Sequence, residues 1–159
     1  MTQITVGIAD YAVAESGAVL LTNGIGSCVA IVLYERERKI GALAHTLLPH
    51  ESLSAVHEPP AKSASAAVPV MVRRIRELDG SGTIEARLIG GASMFAALLI
   101  PGAISLGARN IAAARAACAA AEIAIVGEDV GGDHGRSVVF DVDGGSLLVK
   151  SIAKGDVVL

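Results

Sequence analysis

The sequence predicts an α/β or α+β fold, and three observations carry that prediction. Eight stretches with period-two patterning and many β-branched residues fall at 3–8, 17–22, 28–34, 39–46, 84–89, 123–127, 137–142 and 146–152. Two helix-compatible stretches, 63–78 and an Ala-rich one at 105–121, lie between these strands. Hydrophobic residues make up 52% but aromatics only 3%, with no Trp, so the core must be assembled from Ala, Val, Ile and Leu. At 159 residues the chain can bury such a core without a disulfide or metal, and a single domain over 1–159 is expected.

Taken in order, the first apolar run, 3–8, is followed by a second, 17–22, that ends at Thr22. TNGIGSC, 22–28, then places two glycines and a serine ahead of Cys28 and the run VAIVLY. The stretches 28–34 and 39–46 flank the charged turn ERER and predict a hairpin. A turn centred between Arg36 and Glu37 makes opposed residues sum to 73, which sets Cys28 directly across from His45. PHESLSAVHEPPA, 49–61, reads as a polar, Pro-rich loop. In the helix 63–78, Pro69 is expected to cap or kink. Residues 88–108 carry no charge over a length that could span a bilayer, but Gly90, Gly91, Pro101 and Gly102 punctuate them as strand end, loop, short helix and turn. DVGGDHGR, 129–136, holds Asp129, Asp133 and His134 in a glycine-rich turn that could grip an ion; it reads better as a plain hairpin connection.

Charge and cysteine usage exclude several function classes. The net charge is -3, and the only dense basic stretch, RERK at 36–39, is interrupted by Glu37, so nucleic acid is not an expected partner. Cys28 and Cys118 are 90 positions apart, which gives neither a disulfide framework nor a paired-cysteine metal site and suits a reducing cytoplasm. His45, His50 and His57 have no tight ligand spacing, so no metal and no cofactor is expected. The N-terminus lacks the basic region and apolar core of a secretory signal.

The placement of Cys28, where a small-residue turn meets a strand, points to chemistry. A nearby imidazole that takes the thiol proton yields a nucleophilic thiolate, and the imidazolium can then protonate a departing amine. His45 is the candidate base, and Thr22 could orient it through a hydrogen bond. Gly26 and Ser27 could leave room for a substrate carbonyl and offer backbone N–H groups to the oxyanion. Cys118, within AAARAACAAAEI, reads as a core residue.

GIGSCVAIVLYE, GALAHTLLP, ARLIGGASMF, LGARN and DVGGDHGRSVVFD, in this order, resemble the CheD family of chemoreceptor glutamine deamidases. The similarity runs over roughly residues 15–152, with a departure at Ser63, where the family usually has an aromatic after the lysine. The resemblance implies a Cys, His and Thr catalytic set at Cys28, His45 and Thr22. It implies mixed sheets stacked as a sandwich and flanked by helices, similar to the catalytic domains of deamidating toxins. It also implies hydrolysis of glutamine side-chain amides in the cytoplasmic domain of chemoreceptors, with a CheC-type chemotaxis phosphatase as a further partner. Two alternatives stand beside this activity: a regulatory module that docks on phosphatase or receptor, and a hydrolase of receptor glutamyl methyl esters.

Overall fold

The computed structural model describes residues 1–50, 58–93 and 102–159. Its elements in chain order are β1 (Thr2–Thr5), β2 (Tyr11–Ala14), β3 (Ala18–Ile25), β4 (Val29–Glu35), β5 (Ile40–Thr46), α1 (Ala64–Glu77), β6 (Ile84–Gly90), α2 (Leu106–Ala120), β7 (Ala124–Val130), β8 (Arg136–Asp141), β9 (Ser146–Lys150) and β10 (Val157–Val158). The strands form two mixed five-stranded sheets, one ordered β1-β3-β8-β9-β10 and the other β2-β5-β4-β6-β7. Each contains one parallel pair, β1/β3 and β6/β7 respectively. This is an α+β sandwich with two helices, as the sequence predicts.

Alternation along β4 explains the layering. Val29, Ile31 and Leu33 join Ala42 and Ala44 of β5 in a core shared with Val68, Met71 and Ile75 of α1 and with Ala114 and Cys118 of α2. The intervening residues Ala30, Val32 and Tyr34, with Leu43 of β5, instead meet Leu20, Val138, Phe140, Leu147 and Val149 of the other sheet. β4 and β5 are therefore buried at every position, which is why neither shows a polar face in the sequence. Tyr34 and Phe140 meet edge to face across the inter-sheet layer at 5.3 Å between ring centroids, and the Tyr34 hydroxyl donates to the Val142 carbonyl at 2.6 Å.

Three expectations are corrected and two strands are added. The β4/β5 hairpin pairs Glu35 with Ile40 and Ala30 with His45, so opposed residues sum to 75 and not 73. The cause is a four-residue turn, 36–39, organised by the buried carboxylate of Glu35, which accepts the N–H groups of Glu37 at 2.8 Å and Arg38 at 3.2 Å, while Lys39 closes the turn with φ +54°. A shift of two positions keeps Cys28 and His45 on the same face but sets them diagonally. Pro69 falls inside α1, whose N-cap is Ser63, accepting from the Ala66 N–H at 3.4 Å. The segment after β7 is no hairpin connection, because β7 and β8 belong to different sheets and 131–135 crosses between them. Finally, β2 and β10, of four and two residues, are strands too short for the alternation to reveal.

The end of β6 is crowded. Gly90 (φ +110°) would drive a Cβ into the Cys28 carbonyl oxygen and the Ile25 side chain, and Gly91 (φ +68°) would drive one into Ile111, 2.5 Å from its Cδ1. Gly90→Ala is therefore expected to destabilise the fold by about 2–4 kcal/mol, backbone strain adding to overpacking, as read by chemical denaturation. An unchanged denaturation midpoint would contradict this packing.

Candidate active site

Thr22, Cys28 and His45 converge on the layer between the sheets. Thr22 comes from β3 of one sheet, while His45 on β5 and Cys28, just before β4, come from the other. Thr22 and His45 are fully buried, and Cys28 is 7% exposed. The Thr22 hydroxyl lies 2.8 Å from His45 Nδ1 and 2.6 Å from the Val6 carbonyl oxygen. A hydroxyl has one proton, and the carbonyl can only accept, so Thr22 donates to Val6 and accepts from Nδ1–H. This fixes the tautomer: the second ring nitrogen, Nε2, keeps its lone pair, and it is buried without a hydrogen-bond partner among the described residues. The backbone of His45 is held as well, its N–H donating to Asp10 and its carbonyl accepting from Ala9.

Burial shifts both groups toward their neutral forms. Burial pushes the Cys28 thiol above its ordinary range, opposed in part by its own backbone N–H, and burial lowers His45 below the ordinary imidazole value of 6.5. An unpartnered Nε2 agrees with this, since a preformed thiolate–imidazolium pair would join sulfur to that nitrogen. Desolvation of both groups thus opposes, in the free protein, the proton transfer from Cys28 to His45 that the sequence reading expects.

The turn that carries Cys28 is pinned through its carbonyls. Gly26 O accepts from Ala92 N–H at 2.9 Å, Ser27 O from Asn110 Nδ2 at 2.9 Å, and Cys28 O from Gly91 N–H at 2.7 Å. Two of these donors, Gly91 and Ala92, directly follow β6, and the third, Asn110, is on α2. The N–H groups of Gly26 and Ser27 have no acceptor among the described residues. Gly24 (φ +69°) lets β3 leave its ladder, which is irregular between Thr22 and Ile25, and so turn the chain toward Cys28. Asn110, 1% exposed, was not singled out by the sequence reasoning, although a lone carboxamide in LGARNIAAARAAC is the signal that could have marked it.

Other candidates lie elsewhere. Cys118 is buried in the helix-facing core, its thiol pushed up to about 11 by desolvation and by the Glu128 carboxylate. His50 is exposed, and His57 lies outside the described residues. No group of three or more His, Cys, Asp or Glu able to hold a metal exists among the described residues. In the 129–136 segment, Arg136 binds the Gly131 carbonyl at 2.8 Å and Asp129 at 3.2 Å, so it braces the sheet crossing. No helix among the described residues is long and apolar enough to cross a membrane.

A sequence profile of the family described as CheD chemotactic sensory transduction matches residues 47–151. The probable chemoreceptor glutamine deamidase CheD 1 of Methanosarcina acetivorans is 37% identical over 157 residues, 98% of this chain and 96% of that protein. The chain belongs to the CheD family. The probable chemoreceptor glutamine deamidase CheD 2 of Geobacter metallireducens is 42% identical, covering 94% of this chain and 93% of its own. The chemoreceptor glutamine deamidase CheD of Thermotoga maritima is 34% identical, covering 95% and 93%. The CheD profile begins after Thr22, Cys28 and His45, whereas the match with the Methanosarcina protein covers 98% of this chain and so extends over all three positions.

The neutral, buried His45 predicts a pH dependence of stability with a definite sign. The unfolded chain takes up a proton on this ring near 6.5 and the folded chain only at lower pH, so stability is complete above about 6.5 and falls as pH drops below it. A His45→Gln variant should lose that part of the dependence. Melting temperatures of both proteins between about pH 5 and 8 test this, and parallel curves would show that His45 titrates freely in the fold.

Proposed function

We propose that this protein hydrolyses the side-chain amide of glutamine residues in the cytoplasmic part of chemoreceptors, giving glutamate and ammonia through a thioester on Cys28. The observation that carries the reading is the imidazole of His45, fixed at Nδ1 by Thr22 and left with a free Nε2 in the layer that also holds Cys28. The names of relatives across nearly the whole chain supply the substrate class. The cytoplasm is the matching compartment, and a CheC-type phosphatase is proposed as a further partner.

The chemistry follows from the neutral resting pair. A glutamine side chain enters and excludes water, and the Cys28 sulfur attacks its amide carbon as Nε2 takes the thiol proton. The N–H groups of Gly26 and Ser27 face the oxygen that gains charge. Collapse of the tetrahedral adduct breaks the C–N bond, and the imidazolium returns its proton to nitrogen, which leaves as ammonia. Water then gives its proton to Nε2 and attacks the thioester. The C–S bond breaks, the thiol is regenerated, and glutamate remains. Because Thr22 is uncharged, it directs the ring without adding a negative charge to hold the imidazolium, so the proton stays mobile between steps.

Incubation with a chemoreceptor cytoplasmic fragment and mass analysis of its peptides tests the reading: deamidation adds about one dalton at a glutamine, whereas ester hydrolysis would remove a methylene from a methyl ester. Cys28→Ala should abolish the mass gain while the melting temperature stays near that of the wild type. Retained ammonia release in that variant would end the proposal. Thr22→Val should keep measurable activity, reduced roughly 10–100-fold, since it frees the ring to turn but leaves nucleophile and base in place. Iodoacetamide should label Cys28 before Cys118, whose thiol is pushed to about 11 and shielded in the helix-facing core.

A further inference from the structure

Asn110 is a buried carboxamide in a helix otherwise made of small and apolar residues on its inner face. One nitrogen serves two carbonyls: Nδ2 donates to Ser27 O at 2.9 Å and to Leu47 O at 3.2 Å. These carbonyls belong to the two arms of the β4/β5 hairpin just beyond its last rung, Val29 opposite Thr46, where the chain leaves the ladder. The amide oxygen, Oδ1, is buried with no partner among the described residues. A buried acceptor without a partner is unfavourable, so what an Asn supplies here is its two donated bonds.

The bond to Ser27 has a directional consequence. The Ser27–Cys28 peptide is trans, so its N–H points opposite to its carbonyl. A carbonyl held toward α2 therefore sends the Cys28 N–H away from α2, whose buried residues pack in the other core, and toward the inter-sheet layer in which the Cys28 side chain lies. We propose that Asn110 is a positioning residue for the hydrolysis: by gripping the Ser27 carbonyl and tying it to Leu47, it aims the Cys28 N–H at the oxyanion that forms beside the sulfur. This rests on the reading of Cys28 as nucleophile. The Cys28 N–H then works beside that of Ser27, whose direction is fixed in the same way by the bond from Ala92 to Gly26 O.

The test uses two reactions of one sulfur. Glutamine hydrolysis passes through an oxyanion, whereas alkylation by iodoacetamide displaces iodide and forms none. Asn110→Ala and Asn110→Ser would be compared with the wild type and with Cys28→Ala, using a chemoreceptor cytoplasmic fragment for kcat and KM and peptide mapping for the alkylation rate at Cys28. Asn110→Ala is expected to lower kcat about 100-fold with KM nearly unchanged, and to leave alkylation within about threefold of wild type. Asn110→Ser, which keeps one donor, should recover part of kcat. An unchanged kcat overturns the proposal, as does a parallel fall in kcat and alkylation, which would mean a collapsed site. Failure of both Asn110 variants to fold overturns it too, by assigning the residue to stability. Cys28→Ala that still releases ammonia would instead bring down the nucleophile assignment beneath it, so the two failures are told apart.

Discussion

The single proton of the Thr22 hydroxyl is the constraint on which the site depends. It is committed to the Val6 carbonyl, so Thr22 can only accept from His45, and the imidazole is left with one defined base nitrogen. The bond crosses from β3 to β5, between sheets whose contact is otherwise largely apolar. Its length of 2.8 Å is kept by the packing around it, because the side chains that set the sheet separation, Tyr34 and Phe140 among them, are fully buried and close-packed. The same layer that stabilises the sandwich therefore sets the protonation chemistry.

A second set of constraints works on the backbone. Three consecutive carbonyls, those of Gly26, Ser27 and Cys28, are held by donors from Ala92, Asn110 and Gly91. Such close approach requires the absence of side chains at Gly90, Gly91 and Gly107, where an added Cβ would meet backbone or a packed side chain. The turn thus gains a fixed shape without being part of a regular element. Its rigidity comes from the strand end and helix beneath it.

Much of this was legible in the sequence. Period two located eight of the ten strands, and helical spacing located both helices to within a residue at each end, because fully buried β-branched runs and an alanine-rich segment each have one plausible secondary structure. Thr22, Cys28 and His45 were legible as residue types in telling places, and parity alone puts Cys28 and His45 on one face of their hairpin, whereas the meeting of Thr22 with His45 across the two sheets is a tertiary fact. What parity could not supply was the hairpin register, which turned on the burial of Glu35, a tertiary fact in a stretch that reads as solvent-exposed charge. Nor could it supply the direction in which burial shifts the thiol and the imidazole, since desolvation at Cys28 and His45 depends on strands distant in sequence. Asn110 was hidden for the same reason: its partners at Ser27 and Leu47 lie 83 and 63 positions away.

The burial that pushes the Cys28 thiol above its ordinary range has a consequence for chemical durability. Peroxide and other cellular oxidants react with thiolate and hardly at all with thiol, so burial that disfavours the charged form of Cys28 also disfavours its oxidation to sulfenic acid. Proteins that lower the thiol pKa permanently gain speed and accept that exposure at all times. Under the proposed mechanism, vulnerability rises in the interval in which a bound partner has displaced water and the proton has moved to His45.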